Sequence, residues 1–166
     1  MVVKVGSEAM FLQEKPAKCL LLLKKTDEPI YASIIAREID TTYAHALKVL
    51  SGLERSGLVD FRPAGRIKLV DLTELGEKTA ACLETFIDMA RLSELGARVE
   101  RVYERKIKGR SLDKKGISKR LKPYGRELKR MVNRNPEIGD QAKKLARRIR
   151  DIVKEGAKPA QKPSKG

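Results

Sequence analysis

The chain of 166 residues has no tryptophan, one histidine and two cysteines, and each shortage closes off a class of chemistry. His45 has no Ser or Cys nucleophile pattern around it, and one imidazole cannot build a histidine metal cluster. Cys19 and Cys82 stand alone inside apolar helical patterns, with no second Cys or His at metal-ligand spacing. That excludes a zinc site and a disulfide framework, and it predicts two buried core thiols. A phosphate loop is missing as well, because Gly76-Glu77-Lys78-Thr79 lacks the upstream glycine such a loop needs. Acidic residues are scattered on helix faces rather than paired. The sequence is therefore not that of an enzyme, and it predicts neither cofactor nor metal. Long apolar runs are also absent, the longest being Cys19-Leu20-Leu21-Leu22-Leu23, far short of the roughly 20 residues a bilayer span needs. Tyr124 is the one aromatic anchor on the basic stripes described below, too little to hold them on a membrane. The N-terminus carries no signal-peptide pattern, so a cytoplasmic protein without a membrane partner is expected.

Positive charge, by contrast, is abundant. Lys and Arg number 37 against 22 Asp and Glu, a formal +15, and an apolar content of 41% suffices for a modest core. Such a surplus favours polyanions, nucleic acid first among them. Its distribution is uneven. Residues 1–90 carry 12 Lys and Arg against 13 Asp and Glu, a net −1, whereas residues 91–166 carry 25 against 9, a net +16. Apolar residues are dense before residue 90 and confined to narrow stripes after it, which predicts two functional halves with a boundary between residues 80 and 110. Abundant Lys, Arg and Glu with little Gln or Asn suits an archaeal or thermophilic source.

In the first half, Pro16 opens a helix at its first turn, and Ala17, Leu20, Leu21 and Lys24 carry it to the stop at Thr26-Asp27-Glu28-Pro29. Ile30, Ile34, Ile35 and Ile39 repeat at helical spacing and predict a second, short helix that closes at Asp40-Thr41-Thr42. Ala46, Val49, Leu50 and Leu53 fall at i, i+3, i+4 and i+7 in a third, which ends at Ser56-Gly57. Leu58-Val59-Asp60-Phe61 and Ile67-Lys68-Leu69-Val70 read as short strands around a hairpin tip, Arg62-Pro63-Ala64-Gly65-Arg66. Thr73 then caps a fourth helix.

Helix, helix, tight turn, helix, two-stranded hairpin, helix is an order that resembles the winged helix-turn-helix of MarR-like and ArsR-like regulators. The residues that carry the resemblance are Ala32-Ser33-Ile34-Ile35-Ala36-Arg37-Glu38-Ile39, then Leu53-Glu54-Arg55-Ser56-Gly57-Leu58-Val59, then Leu72-Thr73-Glu74-Leu75-Gly76. It implies an α+β winged helix-turn-helix over residues 1–80, mainly α with a small β-hairpin wing. It also implies a transcriptional regulator that binds double-stranded DNA, with helix 42–56 in the major groove and wing 61–70 beside the backbone.

On their own terms, the residues opposite the core stripe of that third helix are Thr42, Tyr43, His45, Lys48, Ser51 and Arg55, whose hydroxyls, imidazole and cations suit base edges and phosphates. The wing adds Arg62, Arg66 and Lys68. Leu47 falls close to the groove in this register. Winged helices also serve as protein-docking modules, and a half with net charge −1 is compatible with that use.

In the second half, Leu83, Phe86, Ile87 and Ala90, then Leu92, Leu95, Val99 and Val102, follow steps of three and four, with Ser93 and Gly96 suggesting a break. The resemblance implies a homodimer through residues 81–108, because one narrow stripe calls for a partner. The alternative is packing against the protein's own first helix and basic extension. Residues 109–155 read as a basic helical hairpin. Its stripes are Ile117, Leu121, Tyr124, Leu128 and Met131, divided by Pro123, and Ile138, Ala142, Leu145, Ile149 and Ile152 after an Asn135-Pro136 cap. Opposite the first stripe lie Lys114, Lys115, Lys119, Arg120, Lys122, Arg126, Lys129, Arg130 and Arg134; opposite the second lie Lys143, Lys144, Arg147, Arg148 and Arg150. Solvated faces usually mix signs, but residues 105–134 hold 13 Lys and Arg against Asp113 and Glu127, a surface suited to phosphates without sequence preference. Residues 156–166 read as a disordered basic tail.

Two functions remain open. One is a DNA-reading regulator whose basic half adds affinity. The other is an architectural nucleoid protein, or an RNA- or ribosome-associated one, that binds mainly through its basic C-terminal half.

Overall fold

The computed structural model describes residues 13–155 apart from 27, 65, 66 and 111. It divides into two compact units, Met1–Glu84 and Thr85–Gly166.

The first unit opens with α1 (Glu14–Leu23), which buries Pro16, Cys19, Leu20 and Leu23. Pro16 sits in its first turn, where its missing N–H has no intrahelical acceptor to lose. Ile30 does not start the second helix as its spacing suggests. Ile30–Tyr31 is instead a two-residue strand, β1, paired with the wing through Ile30↔Val70 and Tyr31↔Leu69. The helix α2 (Ala32–Glu38) follows directly. The physical reason is that β1 satisfies the otherwise open edge of its neighbour while half-burying Ile30.

A tight turn with Asp40 in the left-handed region, at φ 54°, leads to α3 (Tyr43–Arg55). The Lys15 ammonium donates to the Ile39 and Asp40 carbonyls at 2.8 and 2.9 Å and holds that turn against α1. Thr42 caps α3, its hydroxyl accepting from the His45 N–H at 3.3 Å. Ala46, Leu50 and Leu53 point into the core, and Gly57 ends the helix with φ 71°.

The hairpin strands are β2 (Val59–Ala64) and β3 (Ile67–Leu72), in a three-stranded antiparallel sheet ordered β1-β3-β2 rather than the expected two-stranded wing. Pairing runs further toward the tip than the turn residues suggest, through Arg62↔Leu69, Pro63↔Lys68 and Ala64↔Ile67. Pro63 is tolerated because β2 is an edge strand. One core unites Leu20, Ile35, Ile39, Leu50, Leu53, Val59 and Val70.

The helix α4 (Glu74–Lys106) runs unbroken for 33 residues, its first part in the first unit and the remainder in the second. The break expected at Ser93 and Gly96 does not occur; Gly96 lies beside Leu145, where a Cβ would stand 3.8 Å from the Leu145 methyl. Packing there overrides a weak helix propensity.

In the second unit α5 (Lys114–Arg134) is capped by Asp113, whose carboxylate accepts from Gly116 N–H at 2.8 Å. Pro123 does not divide it. The proline is exposed, so the carbonyl it leaves without a partner falls on the solvent side, while Leu121 and Leu128 stay buried on the other. A 3-10 turn (Pro136–Ile138), capped by Asn135, leads to α6 (Gly139–Glu155). Leu92 and Leu95 of α4 pack with Leu128, Met131, Ile138 and Ala142, and Val99 packs with Ile117, Leu121 and Ile152. This stripe needs no second copy of the chain, which removes the packing argument for a dimer at residues 92–102. Phe86 and Met89 remain 66% and 41% exposed.

The architecture is thus mainly α with a small sheet, an α+β winged helix-turn-helix followed by further helices. Among the described residues, no helix is long and apolar enough to cross a membrane.

Candidate nucleic-acid interface

The core face of α3 fixes what its other face presents. With Ala46, Leu50 and Leu53 fully buried, Thr42, Tyr43, His45, Lys48, Ser51 and Arg55 are all exposed, Tyr43 at 50%. Leu47 is not at the groove surface as the sequence register suggests; with Val49 it packs partly against the core. The exposed surface of α3 is therefore mostly polar and cationic, with the Ala44 methyl and the Glu54 carboxylate as its exceptions. Thr42 spends its oxygen on the helix cap but keeps its hydroxyl proton free to donate.

On the wing, Arg62 and Lys68 are both exposed, on paired strands. Arg62 bonds Asp71 at 2.7 Å, which offsets part of its charge. Lys68 lies over the Phe61 ring, its ammonium 4.9 Å from the centroid, which orders the side chain while leaving its donors in water. Arg66 lies outside the described residues, as do residues 156–166.

In the second unit Lys119, Arg120, Lys122, Arg126, Lys129, Arg130, Lys143, Lys144 and Arg147 are exposed, as are Lys114, Lys115 and Arg150. Lys143 bonds Asp140 at 2.8 Å and holds that carboxyl below its usual range by hydrogen bond and charge. Two of the basic residues serve the fold instead. Arg148 clamps Glu100 of α4, Nε to Oε1 at 2.7 Å and Nη2 to Oε2 at 2.9 Å, and lies over the Tyr103 ring. Arg134 closes on Asp88.

Asp88 is the feature that sequence reasoning missed. It is fully buried on α4 and accepts from Arg134, from Arg91 at 3.4 Å and from the Asn135 amide at 3.3 Å. Asn135 also donates to Thr85 at 3.2 Å, and Thr85 donates to Glu137 at 2.9 Å. This network pins the α5–α6 junction to α4. The only signal in the sequence was a carboxylate interrupting an apolar stripe between Ile87 and Met89.

Cys19 is buried, and burial pushes its thiol up to about 12. Cys82 is not a core residue as expected; it is exposed on α4, because the helix turns Ala80 inward at that level. Among the described residues no group of three His, Cys, Asp or Glu is placed to hold a metal ion.

Neither a family model nor a curated protein matches the sequence. Among solved structures the chain is similar to a protein from Archaeoglobus fulgidus, at 20% identity over 51% of this chain and 97% of that one, TM-score 0.46. A MarR family transcriptional regulator from Silicibacter pomeroyi is similar at 20% identity over 62% and 74% of the two chains, TM-score 0.49. MepR of S. aureus in its DNA complex is similar at 19% identity over 59% and 83%, TM-score 0.48.

Proposed function

We propose that the protein is a double-stranded DNA-binding transcriptional regulator. In this reading α3, within residues 42–56, enters the major groove and the wing, residues 61–70, lies against the backbone. The observation that carries it is the division of α3 into a fully apolar inner face and an exposed outer face of Tyr43, His45, Lys48, Ser51 and Arg55. The exposed cations of α5 and α6 add phosphate affinity that does not depend on sequence. Exposed Phe86 and Met89 support a homodimer, which would read two half-sites a helical turn apart, in the cytoplasm and on the nucleoid.

The test is selection of duplexes from a random pool by the full chain, repeated with Lys48→Ala/Arg55→Ala. An enriched motif that the double variant loses supports the reading; no motif at any ionic strength sinks it. The charge division, −1 before residue 91 and +16 after it, supports a second reading, an architectural or RNA-associated protein that binds through α5 and α6. That reading expects equal affinity for unrelated duplexes and structured RNA, and a steep loss with salt.

A further inference from the structure

A groove runs between α5 and α6, made of two adjoining hollows that share Gly125, Lys129 and Ile149. Its floor is aliphatic, with Leu128 and Val132 from α5 and Ala146, Ile149 and Val153 from α6. Its banks are cationic. Lys115, Lys119, Lys122, Arg126 and Lys129 rise on the α5 side, and Lys143 and Arg150 on the α6 side. Not one Asp or Glu lines either hollow.

Phosphate binding explains the banks but not the floor. A phosphodiester backbone needs cations and gains nothing from Val132 or Ala146 beneath it, and unstacked bases need aromatic platforms, which the floor lacks. Tyr124, the nearest ring, belongs to the inner clusters and has Arg98 over its face, 5.4 Å from the centroid. Gly125 points the same way. Glycine is the worst helix former after proline, yet Gly125 stands in mid-helix at an ordinary φ, and a Cβ there would meet nothing within 4 Å. Neither backbone conformation nor internal packing requires it. What it leaves is bare backbone and open space in the floor, where a partner can approach closely.

We propose that the α5–α6 groove binds an acidic amphipathic helix of a protein partner. Apolar side chains of that helix at i, i+3, i+4 and i+7 enter the floor, and the Asp and Glu flanking them meet the bank cations other than Lys143, which already bonds Asp140. Such a site would let a DNA-bound regulator recruit, or be recruited by, an acidic protein. It uses a surface distinct from α3 and the wing.

The test uses the full chain and a fluorescein-labelled helical peptide of Leu, Ala and Glu, with Leu on one face and Glu on its flanks. A control peptide has the same composition shuffled so that no face forms. The facial peptide is expected to bind, to shift the methyl resonances of Ile149 and Val132, and to outcompete the shuffled peptide by about tenfold or more. Gly125→Leu fills the floor and leaves every cation in place, and Ala146→Met does the same from α6. Each is expected to weaken the facial peptide by about tenfold while affinity for a random DNA duplex stays unchanged. Equal binding of both peptides, or indifference to both floor variants, overturns the proposal. So does a duplex that shifts the floor methyls and is itself displaced by the floor variants, which would make the groove a nucleic-acid surface.

Discussion

A Cβ placed on Gly76 would lie 1.9 Å from the carbonyl oxygen of Leu58, a separation no non-bonded carbon and oxygen can hold. The contact is part of a seam joining the end of α3 to the start of α4. Thr73 N–H donates to that carbonyl at 3.1 Å, while the Thr73 hydroxyl donates to Gly57 at 2.6 Å and accepts from Gly76 N–H at 3.0 Å. Gly76→Ala must push the helix off the hairpin, and overpacking of this kind costs about 1–3 kcal/mol. Urea unfolding of the variant should show that loss, with Glu74→Ala, on the exposed side of the same turn, close to wild type. An unchanged midpoint for Gly76→Ala would mean that the seam yields freely.

The Thr73 cap was legible from the amino acids alone, in Leu72-Thr73-Glu74-Leu75-Gly76, but the close approach of Gly76 to Leu58, 18 residues earlier, was not. The core face of α3 was legible too, from four apolar residues on one helical period. β1 was not, since two residues carry no period to read. Gly96 and Pro123 signal breaks locally, and packing at one and solvent at the other override the signal. Asp88 and Arg134 lie 46 residues apart, and nothing in a single sequence pairs them. Likewise Arg148 reads as one more cation on a basic face until Glu100 is found beneath it.

The Glu100–Arg148 clamp makes a pH-dependent prediction. The Arg148 hydrogen bond holds the Glu100 carboxyl below its usual range. A carboxylate so lowered contributes stability above the ordinary carboxylate range and loses it as pH falls through the lowered value. With the side chains 46% and 36% exposed, solvent screening limits the pair to about 1 kcal/mol or less. Glu100→Gln should therefore melt below wild type at pH 7, and the two melting curves should converge on acidification. A gap that persists well below the carboxylate range would assign the effect to packing instead of charge.

The two thiols should behave differently. Cys19 is shut in the first core with its thiol pushed up to about 12, whereas Cys82 faces water. The thiolate is the reactive form, so iodoacetamide near pH 8 should modify Cys82 alone in the folded chain and both cysteines in denaturant. Peptide mass spectrometry reads the outcome directly. Early modification of Cys19 would show that α1 opens on the labelling timescale.

The two halves should also differ in how they respond to salt. Lys48 is exposed on α3 beside Ser51, and Arg147 is exposed on α6 and does not line the groove. If α3 reads bases, Lys48→Ala should cost a selected duplex about 1–3 kcal/mol and leave unrelated duplexes nearly untouched. Arg147→Ala should instead weaken all duplexes alike and lower the slope of log K against log salt by about 1, the share of one neutralised phosphate. Arg148→Ala supplies the internal contrast, because its guanidinium is already committed to Glu100 and should leave that slope unchanged. Anisotropy titrations at several salt concentrations separate the three. Should Lys48→Ala behave like Arg147→Ala, α3 contributes charge but no reading, and the binding belongs to the basic helices.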